Sequence, residues 1–340
     1  MGLRGAGVAV LVLLFCGLPQ GMPQRLEGGI GMPGAIARIL SGHAAVAISP
    51  DGRLLASVRD RAILLWDLQT GRQLHSLTGH SLPVLALTIS SDGQTLASAS
   101  HDKTIKLWSL STGELIRTLS GHTSWVEAIA LSPDGKTLVS GGGDRTIRIW
   151  HVSTGELLQT LAGQRDPIYS LAISPDGQTV ASGSWDVIKL WNLQTGKELR
   201  SLAGHTLGVN ALAINGDGTT LVSGSGDKTL KIWNLNTGEL QQTLTGHRFS
   251  VMTVVVDPAG ATVASGGLDN MIRLWDLKTG REIQVLPRQS SVVESVAISA
   301  NGQLLASGCW GSVIKLWNLR TGKEIRTFSS PASRESGSLY

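Results

Sequence analysis

Residues 79–120 read GHSLPVLALTISSDGQTLASASHDKTIKLWSLSTGELIRTLS, and residues 121–162 read GHTSWVEAIALSPDGKTLVSGGGDRTIRIWHVSTGELLQTLA. Gly-His, Asp-Gly, Leu-x-Ser, Trp and Thr-Gly recur between them in register. Carried outward in both directions, the register aligns Trp66, Trp108, Trp150, Trp191, Trp233, Trp275 and Trp317, spaced 42, 42, 41, 42, 42 and 42 residues apart. A period of this length is the mark of a repeat architecture, in which each unit buries its faces only against its neighbours.

Each unit is written in short alternating runs rich in β-branched residues, such as TLASAS (95–100) and TIKLWSL (104–110), which read as strands. Asp-Gly pairs after Ser-Pro, at Asp51-Gly52, Asp134-Gly135 and Asp176-Gly177, predict two-residue hairpin turns with positive φ. Thr-Gly pairs such as Thr112-Gly113 and Thr279-Gly280 reverse the chain again, into ELIRTL (114–119) and REIQVL (281–286). Four strands alone would leave both faces of a small sheet wet, whereas seven such sheets around an axis bury them. Small residues in the second strand, as in Leu138-Val139-Ser140, let neighbouring sheets approach closely. The prediction is an all-β chain, a seven-bladed β-propeller of four-stranded antiparallel blades over residues 35–328. Seven inner triplets face eight candidate outer strands, because 35–40 and 323–328 compete. A short hairpin at Thr321-Gly322 is cheap to close, so Ile325 and Phe328 are expected to complete blade 7.

A polar set recurs at fixed steps of 18, 4 and 6 residues: His80, Ser98, Asp102, Trp108; His122, Ser140, Asp144, Trp150; His205, Ser223, Asp227, Trp233; and His247, Ser265, Asp269, Trp275. With a glycine before each histidine, the chain resembles the WD-repeat family, in its near-identical, bacterial-type form. Trp66-Asp67 and Trp275-Asp276 keep the Asp that follows the tryptophan, while Ser109, His151, Asn192, Asn234 and Asn318 replace it. The resemblance implies that each set forms a buried hydrogen-bonded chain joining the inner strands to the loop before them. Blade 4 departs with Gln164 for histidine and one residue fewer before Trp191. Blade 7 has Gln289 for histidine and Gly311 for aspartate. In blade 1, His43 lies four residues too close to Ser57.

Ser, His and Asp together invite a hydrolase reading, but a catalytic triad occurs once and not in every blade, and no nucleophile turn accompanies it. No catalytic residue, cofactor or metal is expected. Ser140-Gly141-Gly142-Gly143 lacks the Lys-Ser/Thr of a phosphate loop. Asn215-Gly216-Asp217-Gly218 is too short for a calcium loop and reads as a hairpin turn. One histidine per blade cannot converge on a single metal.

Glycine supplies 42 residues, about twice the usual share of about 7%, as many tight turns require. The net charge of +4 is spread evenly, a weak footprint for nucleic acid. Cys16 and Cys309 offer no disulfide framework. Arg4 before the apolar run Val8–Leu18, with a Gly/Pro-rich stretch to Gly34, has the layout of a secretory signal followed by a linker, so export is expected over a cytoplasmic location. Phe15 spoils a lipoprotein box at Cys16. The apolar run is too short for a permanent membrane span, which needs about 20 residues. The Ser-rich tail 329–340 reads as disordered. A single closed ring is expected to be monomeric.

Two functional classes follow. A rigid disc with seven loop sets suits a protein-binding platform, an argument by family analogy. An enzyme or small-ligand binder using the central channel would need polar residues converging on the axis, whereas the first strands read apolar, as in Ala128-Ile129-Ala130-Leu131 and Ala211-Leu212-Ala213-Ile214. The partner, a protein or peptide, is expected on the loop face. The surplus tryptophans Trp125, Trp185 and Trp310 map there, joined by Leu85, His101, Glu127, Tyr169, Asn210, Met252, Leu268 and Glu294 at equivalent positions, the aromatic and polar mixture that interfaces concentrate.

Overall fold

The computed structural model describes residues 44–328, and among them every regular element is a strand. The expected signal and linker, the candidate strand 35–40, His43 and the tail 329–340 lie outside the described residues. Twenty-eight strands form seven four-stranded antiparallel sheets, each ordered as in sequence. The seven-bladed propeller is thus observed. Blades are numbered here by their first strands, Val46–Ile48, Val84–Ile89, Val126–Leu131, Ser170–Ile173, Val209–Ile214, Val251–Val256 and Val293–Ile298.

The core is seven apolar clusters, one at each blade junction. Between blades 1 and 2, Ile63, Leu65 and Leu77 meet Leu96, Trp108 and Leu110. Every register tryptophan packs in this way against the preceding blade, and burying such a side chain contributes about 1.5–3 kcal/mol. The glycine before each histidine has a steric cause, since a β-carbon at Gly79 would sit 3.1 Å from the Trp108 ring. Closure uses the same chemistry. Phe328 ends the outer strand Glu324–Phe328, which pairs with Val313–Asn318 of blade 7. Its ring lies 5.5 Å from that of Trp66 in the cluster joining blades 7 and 1. The C-terminal candidate therefore completes blade 7. Of its two named residues, Phe328 is buried, whereas Ile325 is 50% exposed on the rim.

One local expectation fails. The Asp-Gly turns are not two-residue hairpins. Between Val126–Leu131 and Thr137–Gly142 five residues intervene. Gly135 donates to the Ser132 carbonyl, the Ser132 hydroxyl to Asp134, and the Lys136 amide to Asp134. Only Gly135 takes positive φ, at 68°. The serine and aspartate side chains close the longer loop by satisfying groups that a tighter turn would pair directly.

Candidate functional site

Two sets of loops open on one face of the disc, those entering the first strands and those joining second to third strands. The tetrads tie them together. In blade 2 the Trp108 indole N–H donates to Ser98 Oγ at 2.8 Å. His80 Nε2 lies 2.8 Å from the same oxygen, and His80 Nδ1 lies 2.8 Å from Asp102. With the imidazole proton on Nδ1, every member is satisfied in one direction, Trp to Ser to His to Asp. Asp102 also accepts from the Ser81 and Thr104 amides and the Thr104 hydroxyl, which pins the entering loop to the neighbouring turn. Blades 3 and 5 repeat this, with His–Asp distances of 2.7 Å at His122–Asp144 and His205–Asp227, and blade 6 repeats it at 3.0 Å for His247–Asp269, with the Met271 amide in place of the threonine pair.

Burial pushes the Asp102, Asp144 and Asp227 carboxyls up. The hydrogen bonds from the histidines and from Thr104, Thr146 and Thr229 outweigh it and hold them well below the usual carboxylate range. Asp269 is lowered too, against burial, chiefly by His247. Ser98, Ser140, Ser223 and Ser265 are completely buried, and each accepts an indole N–H. No external substrate reaches these hydroxyls. Through these bonds they join the entering loops to the strands.

In blades 1, 4 and 7 the tryptophan–serine bond persists at Trp66–Ser57, Trp191–Ser182 and Trp317–Ser307, and in blades 4 and 7 the rest is incomplete. Gln164 donates to Ser182, yet its buried Oε1 has no partner, and Asp186 is exposed. Gln289 Oε1 is likewise unpaired.

The expected binding residues divide into two groups. Trp310 is 47% exposed on the loop face. Trp125 and Trp185 are half-buried there, as are His101 and Leu268. Trp125 stacks on His101, with centroids 5.7 Å apart and planes at 24°, and lies over Gly143, so part of its surface is committed to packing. Leu85, Glu127, Tyr169, Asn210, Met252 and Glu294, by contrast, do not lie on the open rim. They line the mouth of a cavity of about 180 Å³ on the axis, which all seven first strands enclose. Leu85, Tyr169, Asn210 and Met252 are buried. Each follows the buried residue that opens its blade, and strand alternation turns it toward the axis.

The expectation of an apolar channel is corrected by the same finding. Ser170, Thr253 and Ser295 also face the cavity, and several of its polar groups stitch blades together. Ser170 donates to the Val209 carbonyl and Asn210 to that of Val251, while Thr253, Ser295 and Glu294 accept the amides of Val296, Val46 and Ala44. Sequence reasoning missed Leu82, Leu207 and Phe249, exposed by 47%, 41% and 53% on the entering loops. The signal was present, since each stands two residues after a tetrad histidine in a loop with no core to fill.

The sequence profile described as "WD domain, G-beta repeat" matches residues 34–67, 71–109, 113–151, 155–192, 196–234, 238–276 and 280–318. Among curated proteins, the chain is similar to "U3 small nucleolar RNA-interacting protein 2" of Mus musculus, 36% identical over 77 residues, a match spanning 18% of this chain and 16% of that protein.

Proposed function

From its membership of the WD-repeat family, to which the seven matched repeats assign this chain, we propose that it is a non-catalytic platform that binds a protein or peptide on its loop face. The observation that carries this reading is the exposure of large apolar side chains on the loop face, Phe249, Leu82 and Leu207 on loops that the tetrads hold rigid and Trp310 in blade 7, each between 41% and 53%. Large apolar side chains displayed on a preorganised surface are what interfaces concentrate, and little ordering entropy opposes their use. The mouse relative's name carries an RNA interaction. What this chain shares with it is a stretch of 77 residues, and the evenly spread charge of +4 favours a protein partner. Export and a monomeric ring belong to the same proposal. Fractionation of the native protein and its mass in solution test them.

The test of the binding face is alanine substitution. Trp310→Ala and Phe249→Ala are expected to weaken capture of the native partner, with a loss of about 2 kcal/mol or more for at least one. Asp134→Ala and Asp176→Ala, on the opposite face, are expected to leave it intact. Equal weakening by both pairs contradicts the reading.

A further inference from the structure

Charge that runs evenly along the sequence is sorted by the fold. On the loop face each blade exposes one cation. Arg61, Lys103, Arg145 and Lys228 stand at turns between second and third strands, while Arg165, Arg248 and Arg288 stand on the entering loops of the three blades whose turns lack one. Arg61 meets Asp60 at 3.3 Å. Among the described residues the side chains of the other six make no hydrogen bond or ion pair. Lys189 and Lys315, on third strands, instead reach Glu198 and Glu324.

Blades 5, 6 and 7 set these spare cations among the exposed apolar side chains. Leu207 lies against Gly226, where an added β-carbon would stand 3.3 Å from its own, and Lys228 is two residues further along that turn. The Ser250 hydroxyl of the next entering loop donates to the Gly226 carbonyl, and that loop carries Arg248 and Phe249. The Gln289 amide donates to the Asn270 carbonyl, which joins blade 6 to the entering loop of blade 7 with its Arg288, and the Trp310 amide donates to Val292 of that same loop. Hydrogen bonds therefore run from loop to loop through one arc, on which Lys228, Arg248 and Arg288 stand among Leu207, Phe249 and Trp310. Away from the axis, the exposed carboxylates of the described loop face are Asp60, Asp166 and Asp186, in blades 1 and 4 and not on the arc.

We propose that the segment seated on this arc is an acidic peptide of a partner protein, with Asp or Glu interspersed among large apolar side chains. This rests on the loop face being the binding surface. The peptide carboxylates answer the three cations and steer the encounter, while its apolar groups bury against Leu207, Phe249 and Trp310. Exposed charge pairs contribute little singly, so both kinds of group are needed. A nucleic acid fits less well, because its unbroken run of phosphates calls for a continuous basic track. Here apolar side chains interrupt the cations, and the carboxyls of Asp227 and Asp269, both lowered, lie beneath them. Residues 1–43, with three arginines and one glutamate, and 329–340, with one of each, lack the acidic chemistry.

The test displays short random peptides to the full chain and reads the sequences enriched. Enrichment of Asp and Glu together with Leu, Phe or Trp is expected. Measured by fluorescence anisotropy, the tightest of them should bind the triple variant Lys228→Gln, Arg248→Gln, Arg288→Gln about 10-fold more weakly, with a flatter salt dependence. The three side chains are exposed, and an unchanged Tm checks that the fold survives. Phe249→Ala should weaken the same peptide and Asp134→Ala should not. Neutral or basic peptides that still need Phe249 would overturn this inference and leave the loop face as the binding surface. Peptides lost on Asp134→Ala and unaffected by Phe249→Ala would overturn the loop-face reading as well. Acidic peptides indifferent to the Gln substitutions, tighter binding of oligouridine than of any peptide, self-association that the Gln substitutions abolish, or no enrichment at all would each sink the proposal.

Discussion

Replacing Asp227 by Ala removes the acceptor for His205 Nδ1 at 2.7 Å, for the Thr206 amide at 3.2 Å, and for the Thr229 amide and hydroxyl at 3.0 and 2.6 Å. Thr206 is exposed and its amide can turn to water, but the His205 side chain is only 1% exposed and cannot. One buried donor left unpaired costs about 1–3 kcal/mol. With an unfolding entropy of about 2.1 cal/mol/K per residue, a ring of this size loses about 1.5–2 °C of Tm per kcal/mol, so the expected drop is about 2–5 °C. Asp186→Ala is the matched control. It stands at the same register position in blade 4, yet is exposed, and Gln164 donates only to Ser182. Thermal denaturation followed by circular dichroism should show a lower Tm for Asp227→Ala and an unchanged one for Asp186→Ala. Equal shifts, or no shift in Asp227→Ala, would refute the view that the tetrads are structural locks.

Further outcomes are expected. Because Asp102, Asp144, Asp227 and Asp269 titrate below their ordinary value of 3.8 when folded, their contribution is complete above the unfolded value and drains away as pH falls through the folded one. Stability in urea should decline below about pH 4, with a shallower decline when all four are Asn, and equal slopes would count against this. Phe328→Ala empties the junction of blades 7 and 1 and should cost about 3–5 kcal/mol, whereas Ile325→Thr on the exposed rim should change stability by less than about 0.5 kcal/mol. Guanidinium denaturation separates the two. The buried thiol of Cys309, which burial pushes up to about 12, should resist alkylation in the native chain and react after unfolding. Rapid native labelling would contradict its place in the core.

The fold was legible because a 42-residue period is a global signal that no local ambiguity can disguise, and the tetrads were legible because their spacing is repeated in four blades. Ring closure followed from loop length alone. What escaped was orientation. Glu127 and Trp125 lie two residues apart, yet one lines the axis and the other stacks on His101. The difference is set by where the chain passes from loop to strand, which composition does not reveal. The Asp-Gly turns misled because Ser132 and Asp134 supply side-chain hydrogen bonds that stabilise a five-residue loop. Leu82, Leu207 and Phe249 went unnoticed because apolar residues near strands read as core until the strand boundaries are known.

The central claim is that the loop face, and not the turn face, holds the partner. Photoreactive residues placed singly at Phe249 and Trp310, and at Asp134 and Asp176, in the native chain test it most directly. The account predicts that the first two cross-link to one and the same partner protein and the second two to none. Capture from the turn positions alone, or equally from both faces, would contradict it.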